Sequence, residues 1–177
     1  MTQHVHHAGC GCLELLSRRR ALGLGVGALA AAAVPAFALD TGYEAMLVKC
    51  IDPRFTTNTW AYMSSRGWQN LYSQFNIAGG LIGIVAPVFA DWQKTYWDNL
   101  KITYDLHEVK RVVAITHRDC GAAVVAYGER IKTDKAFETK THQDALRQFR
   151  AEVLKRYPDL KVELGIMDLT GAVEGVA

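Results

Sequence analysis

Ala45-Met46-Leu47-Val48-Lys49-Cys50-Ile51-Asp52-Pro53-Arg54 is the stretch around which the chain is organised. It reads as a strand over residues 44–50, bounded upstream by the polar Asp40-Thr41-Gly42 and stopped by Pro53. A chain leaving a strand keeps its period of two for a residue or so, which can turn Cys50, Asp52 and Arg54 into one space. The same grammar recurs downstream, where the apolar run Val112-Val113-Ala114-Ile115 is followed by His117-Arg118-Asp119-Cys120-Gly121. Two apolar strands, each ending in chemically capable residues, look like halves of one site.

Between and beyond these strands the periodicity alternates. Thr56-Thr57-Asn58-Thr59 suits a loop leading into a short helix around Trp60–Met63, which Gly67 ends. A second strand is predicted at Tyr72–Ile77, closed by Gly79-Gly80. Phe89, Trp92, Tyr96, Leu100 and Tyr104 recur at spacings of three and four, a helical stripe that packs on a sheet. Arg111–Thr116 is nearly all apolar, as a strand buried on both faces should be. Gly121–Tyr127 can open a helix, and residues 128–140 are charged and turn-like. Thr141 with Asp144 forms a box-like cap for a helix whose apolar face is Leu146, Phe149, Val153 and Tyr157, ended by Pro158. Val162–Ile166 alternates as a last strand before a turn at Thr170-Gly171. The prediction is an α/β fold, a mainly parallel β-sheet of about four to five strands flanked by helices.

The chain has 177 residues, half of them apolar, enough for one domain with a substantial core. Its formal charge of +2 comes from Arg18-Arg19-Arg20; from residue 39 onward 17 basic residues face 17 acidic ones. That balance removes the electrostatic case for nucleic acid or an anionic membrane surface as partner.

Residues 1–38 read as an export signal peptide and residues 39–177 as a single α/β catalytic domain. A polar segment ends in Ser17-Arg18-Arg19-Arg20, a Gly/Ala-rich apolar stretch runs from Ala21 to Val34, and Ala36-Phe37-Ala38 supplies a small-x-small cleavage pattern. The arginine pair resembles a twin-arginine signal, which implies transient contact with export machinery and a periplasmic destination. An uncleaved, membrane-anchoring segment is the alternative, though the stretch is short and glycine-rich for a span. Cleavage would remove His4, His6, His7, Cys10 and Cys12, leaving Cys50 and Cys120 as the only cysteines.

Two lone cysteines in an oxidising compartment ordinarily suggest a disulfide, and a non-enzymatic module with a Cys50–Cys120 bridge is one reading. The other starts from His117-x-x-Cys120 together with Cys50. These form a Cys2His set, the ligand count of a catalytic zinc that leaves its fourth position open. His107 and His142, the remaining histidines, fall in or near predicted helices and read as surface residues. Asp52 beside the open position can accept a hydrogen bond from metal-bound water, and Arg54 can hold that carboxylate ionised and oriented. Gly79-Gly80-x-x-Gly83 lacks the Lys and Ser/Thr of a phosphate loop.

Cys50-x-Asp52-x-Arg54 with His117-x-x-Cys120-Gly121 resembles the signature of the β-class carbonic anhydrases. Asn76-Ile77-Ala78-Gly79-Gly80 is similar to that family's Arg-Asn-Ala-Gly region, with Phe75 where arginine is usual, and Asp168-Leu169-Thr170-Gly171 is similar to its C-terminal strand and turn. The resemblance implies one Zn2+ per chain held by Cys50, His117 and Cys120. It gives catalytic roles to Asp52 and Arg54, with Asp52 either assisting the zinc-bound water or occupying the fourth position. It also implies reversible hydration of carbon dioxide to bicarbonate by zinc-bound hydroxide, and a homodimer or higher assembly with the site near its interface. Related enzymes with the same ligands hydrolyse carbonyl sulfide or carbon disulfide. Three features depart from the pattern. Sixty-six residues separate Cys50 from His117, with the excess expected between Leu81 and Leu100. Only eleven lie between Ala38 and Cys50, too few for the helices by which many members embrace a partner. Arg118 stands where threonine is common.

Overall fold

The computed structural model describes residues 42–177. The export signal, its cleavage and the His4–Cys12 cluster lie outside the described residues. Four parallel strands form the centre: β1 (Ala45–Cys50), β2 (Tyr72–Ile77), β3 (Arg111–His117) and β4 (Lys161–Met167). A short β5 (Val173–Gly175) pairs antiparallel with β4, giving the order β2-β1-β3-β4-β5. The strands alternate with helices α1 (Thr56–Ser65), α2 (Ile82–Val85), α3 (Ala90–His107), α4 (Gly121–Tyr127), α5 (Arg130–Thr133) and α6 (Lys135–Arg156).

Every residue of β1 is buried, which is why its sequence does not alternate. Met46, Val48 and Cys50 face one core layer with Leu81, Tyr96, Leu100, Leu146 and Phe149, whereas Ala45 and Leu47 face a second with Phe55, Met63, Val113 and Ile115. Burying a leucine or valine fully contributes roughly 1.5–3 kcal/mol. Phe75, Trp97 and Phe149 surround the Tyr96 ring at centroid distances of 5.2, 4.8 and 5.5 Å. The aromatic stripe read from the sequence is therefore core: it places α3 against β2 and α6.

Chain order and spatial order reverse at β1. From β1 the chain passes to β2 on one side, then returns to β3 on the other. Such a reversal leaves a crevice beyond the carboxyl ends of the two central strands. Cys50 and His117 are the last residues of those strands.

Four local expectations are corrected. Thr56–Thr59 is the first turn of α1 and not a loop: Pro53 starts a single 3-10 turn over Pro53–Phe55 that runs directly into the helix. Residues 128–140 contain α5 and the start of α6. The true cap of α6 is Asp134, whose carboxylate accepts the Phe137 N–H at 2.9 Å, so Thr141 and Asp144 lie within the helix. Finally, His142 is fully buried against the sheet, its Nδ1 2.8 Å from Thr116 Oγ1, and His107 is half-buried at 2.7 Å from Ser73 Oγ. The segment between Leu81 and Leu100 holds α2, a 3-10 turn at Pro87–Phe89 and the first half of α3.

Candidate metal centre

At the crevice, one ligand atom each from Cys50, His117 and Cys120 lies within 4.8 Å of the others, and all three residues are buried. Both cysteines are free thiols rather than a disulfide. Three elements supply the set: the end of β1, the end of β3, and the residue preceding α4.

The state of His117 tests whether a metal fits. Its Nδ1 lies 2.8 Å from the Arg118 carbonyl, a contact that requires Nδ1 to carry the proton and donate. The lone pair is thereby assigned to Nε2, which is buried and has no hydrogen-bond partner among the described residues. A buried imidazole nitrogen left bare costs about 1–3 kcal/mol unless something binds it. Next to two thiols, a thiophilic divalent cation satisfies that need, and the fixed tautomer is the arrangement that ligating histidines adopt. Phe55 lies over the imidazole at a centroid distance of 4.3 Å and holds the ring plane.

The thiols are polarised in the same sense. The Cys50 thiol is pulled well below its ordinary pKa, chiefly by the neighbouring Cys120 thiol, with further help from His117 and from the Asp52 and Gly79 amides, against the opposing effect of burial. Gly79 N–H donates to Cys50 Sγ at 3.2 Å. Cys120 moves the opposite way, because a second thiolate beside Cys50 and inside the core is repelled. A bound cation would offset that repulsion, since a coordinating thiol is deprotonated outright.

Gly79 and Gly80, which close β2 and belong to the stretch similar to the family's Arg-Asn-Ala-Gly region, shape the centre. Gly80 has φ +58°, and a Cβ there would sit 2.8 Å from the Lys49 carbonyl carbon and 2.9 Å from the Cys50 amide nitrogen. Gly79 has φ +75°, and its Cβ would meet that of Ala122 at 2.9 Å. Without side chains, this turn presses against β1 and aims an N–H at the thiol.

Asp52 and Arg54 form the expected pair. Arg54 Nη2 donates to Asp52 Oδ2 at 2.7 Å, Nε lies 3.1 Å from both oxygens, and the Arg54 backbone N–H reaches Oδ1 at 3.0 Å. These bonds hold the Asp52 carboxyl below its ordinary pKa. The ligand group comprises three residues without Asp52, whose carboxylate is engaged by Arg54.

Two contacts were not legible in the sequence. Arg54 also spans to the other half of the site, with Nη1 2.8 Å from Asp119 Oδ2 and Nη2 3.1 Å from the Asp119 carbonyl. Asp119 itself adopts φ +57°, an unusual conformation for a residue other than glycine. It is held there by Glu138 of α6, whose carboxylate accepts the Asp119 N–H at 2.9 Å and the Arg118 Nη1–H at 3.2 Å. Arg118 therefore points away from the ligands, toward Glu138 and, at 2.7 Å, Thr139 Oγ1. Of the four tryptophans, Trp68 lies between Arg66 and Arg111, Trp92 stacks on Phe89 and Trp97 lies under Arg156. Trp60, half-exposed, lines a cleft between α1 and the β1–β2 face with Lys49 and Ile51.

No protein-family model matches the chain. Two rickettsial sequences are similar to it. An uncharacterized protein of Rickettsia bellii is 29% identical over 131 residues, spanning 74% of this chain and 80% of that protein. An uncharacterized protein of Rickettsia conorii is 29% identical over 131 residues, or 74% and 70% of the two chains. Among solved structures, a β-carbonic anhydrase of Aspergillus fumigatus superimposes with a TM-score of 0.53 at 13% identity, covering 81% of this chain and 80% of that one. One from Coccomyxa, in complex with acetazolamide, gives 0.52 at 15% identity over 75% and 71%. A tetrameric β-carbonic anhydrase of Sordaria macrospora gives 0.50 at 14% identity over 76% and 81%. At these identities the likeness is one of fold, and the fold of this chain is that of the β-carbonic anhydrases.

Proposed function

We propose that this protein is a zinc enzyme that reversibly hydrates carbon dioxide to bicarbonate, with Cys50, His117 and Cys120 as metal ligands. The observation that carries the reading is the bare, buried Nε2 of His117 facing two free buried thiols at the carboxyl end of the sheet. Three protein ligands leave one position for the reaction, and a zinc ion there supplies Lewis acidity and lowers the pKa of water toward neutrality. The chain's own contribution is orientation. Arg54 holds Asp52 ionised beside the ligands, where its carboxylate can accept a proton-bearing group and set the direction of attack. The same guanidinium grips Asp119, so one side chain links the two halves of the centre. Asp52 in this reading is a hydrogen-bond acceptor and not a fourth ligand.

The test is stopped-flow hydration of carbon dioxide with zinc quantified on the same sample. Cys50→Ala and His117→Ala are expected to lose zinc and activity together. Asp52→Asn is expected to keep zinc and lose activity by about 10–100-fold, the usual cost of removing a group that orients a metal site. Normal hydration by Asp52→Asn would remove Asp52 from the mechanism. Carbonyl sulfide and carbon disulfide assayed alongside identify the electrophile. The tetrameric state of the Sordaria protein supports a homodimer or larger assembly here, which sedimentation measures directly.

A further inference from the structure

Lys49 is a cation where the sheet should carry an apolar residue. It sits in β1 between its strand partners Asn76 and Ile115, and only 6% of its surface is exposed. Its ammonium has three protons to donate and makes one hydrogen bond among the described residues, a long one of 3.3 Å to the Cys50 carbonyl. It forms no ion pair within the described residues, although removing an ammonium from water costs several kcal/mol.

The alternation of β1 turns Lys49 away from the layer that holds Cys50 and toward the layer beneath α1. There it lines a cleft of about 480 Å³ between α1 and the β1–β2 face, a volume in the range of small-molecule sites. Gln74, Asn76 and Thr57 also line this cleft, and no carboxylate does. The Gln74 and Asn76 side-chain amides make no hydrogen bonds within the described residues. Trp60 and Ile51, both more than half exposed, give the cleft an apolar wall. A buried positive charge, unused neutral donors and an aromatic wall define complementarity to an anion with an apolar body.

We propose that the cleft between α1 and the β1–β2 face binds a small organic carboxylate, its head on the Lys49 ammonium and its body against Trp60 and Ile51. This site is separate from the metal centre and does not depend on the carbon dioxide reading. Charge-assisted hydrogen bonds are the strong ones, so Lys49 dominates affinity while the wall sets selectivity.

Amide NMR shifts of the metal-loaded protein, followed during titrations with acetate, benzoate and inorganic phosphate at constant ionic strength, test this. Expected are saturable shifts at Thr57, Trp60, Gln74 and Asn76, with benzoate binding several-fold more tightly than acetate. Lys49→Met should weaken binding about tenfold or more, as loss of a charged hydrogen bond does. It should leave the fold intact, since a methionine of similar length removes a desolvated charge without opening a cavity. Trp60→Ala should erase the preference for benzoate and leave acetate unchanged. Shifts confined to Gly121, Ala122 and the other neighbours of the metal ligands would overturn the proposal, as would unchanged affinity in Lys49→Met. Phosphate binding more tightly than either carboxylate would overturn the ligand class. Shifts at the cleft that grow with protein concentration and need no added anion would assign the carboxylate to a second copy of the chain and overturn the free ligand.

Discussion

A single nitrogen decides how the centre is read. His117 Nδ1 is committed to the Arg118 carbonyl and Nε2 is bare and buried, so the imidazole is poised as a ligand before any ion arrives. The other buried histidine, His142, has a different consequence. Burial lowers its pKa to about 4, against about 6.5 in an unfolded chain. Above pH 6.5 both states hold it neutral and its contribution to stability is fully present. As the pH falls from 6.5 toward 4, the unfolded chain takes up the proton and the folded one does not, so that contribution is lost. The linkage amounts to about 3 kcal/mol. Urea unfolding of wild type and His142→Gln should therefore diverge by roughly this amount between pH 7 and pH 4, with wild type losing more. Parallel pH profiles would show that His142 is protonated equally in both states. The sequence reading placed His142 on the surface as a polar residue in a helix, yet its spacing of four and seven from Leu146 and Phe149 puts it on the buried face of α6.

At the scale of elements, turns and caps position the ligands. The Gly79-Gly80 turn packs against the backbone of Lys49 and Cys50 so closely that no side chain fits at Gly80. Gly80→Ala is expected to cost about 1–3 kcal/mol through backbone strain and contact, and to lower metal affinity because it displaces Cys50. Thermal unfolding and bound zinc, measured together, check this; a normal metal content would separate the turn from the centre. Asp134→Ala provides a contrast. It removes the α6 cap and should cost about 1 kcal/mol, with zinc content unchanged at saturating metal. Glu138 joins α6 to the centre through the Asp119 amide. None of this was readable from periodicity: Glu138 lies in a charged run that looks like a solvated turn, and its value appears only when α6 packs across the ends of β3 and β4.

For the whole molecule, the reversal of strand order at β1 brings the ends of β1 and β3 together across 66 intervening residues. A centre built from both halves of the chain couples metal binding to global stability. Zinc at a thousandfold excess over its dissociation constant should stabilise the protein by about 4 kcal/mol, and chelation should remove that increment. The increment should be absent in Cys50→Ala. Calorimetry with and without chelator measures it, and an unfolding temperature indifferent to chelator would mean that the three residues do not bind metal in the native state.

The sequence alone determined the α/β alternation, the strands beginning near residues 44, 72, 111 and 162 and the candidate trio Cys50, His117 and Cys120. These depend on short-range pattern: a fully apolar strand is legible because both its faces are buried, and each half of the trio is legible because it directly follows such a strand, Cys50 closing one and His117-x-x-Cys120 the other. Only the tertiary structure decided that the thiols are free, that Arg54 bridges Asp52 and Asp119, that Glu138 secures the loop and that Lys49 is a buried charge facing a cleft. Each of these is a matter of distance or desolvation between segments remote in sequence. The period of a strand assigns Lys49 to a face, but the packing around that face decides what the charge meets there.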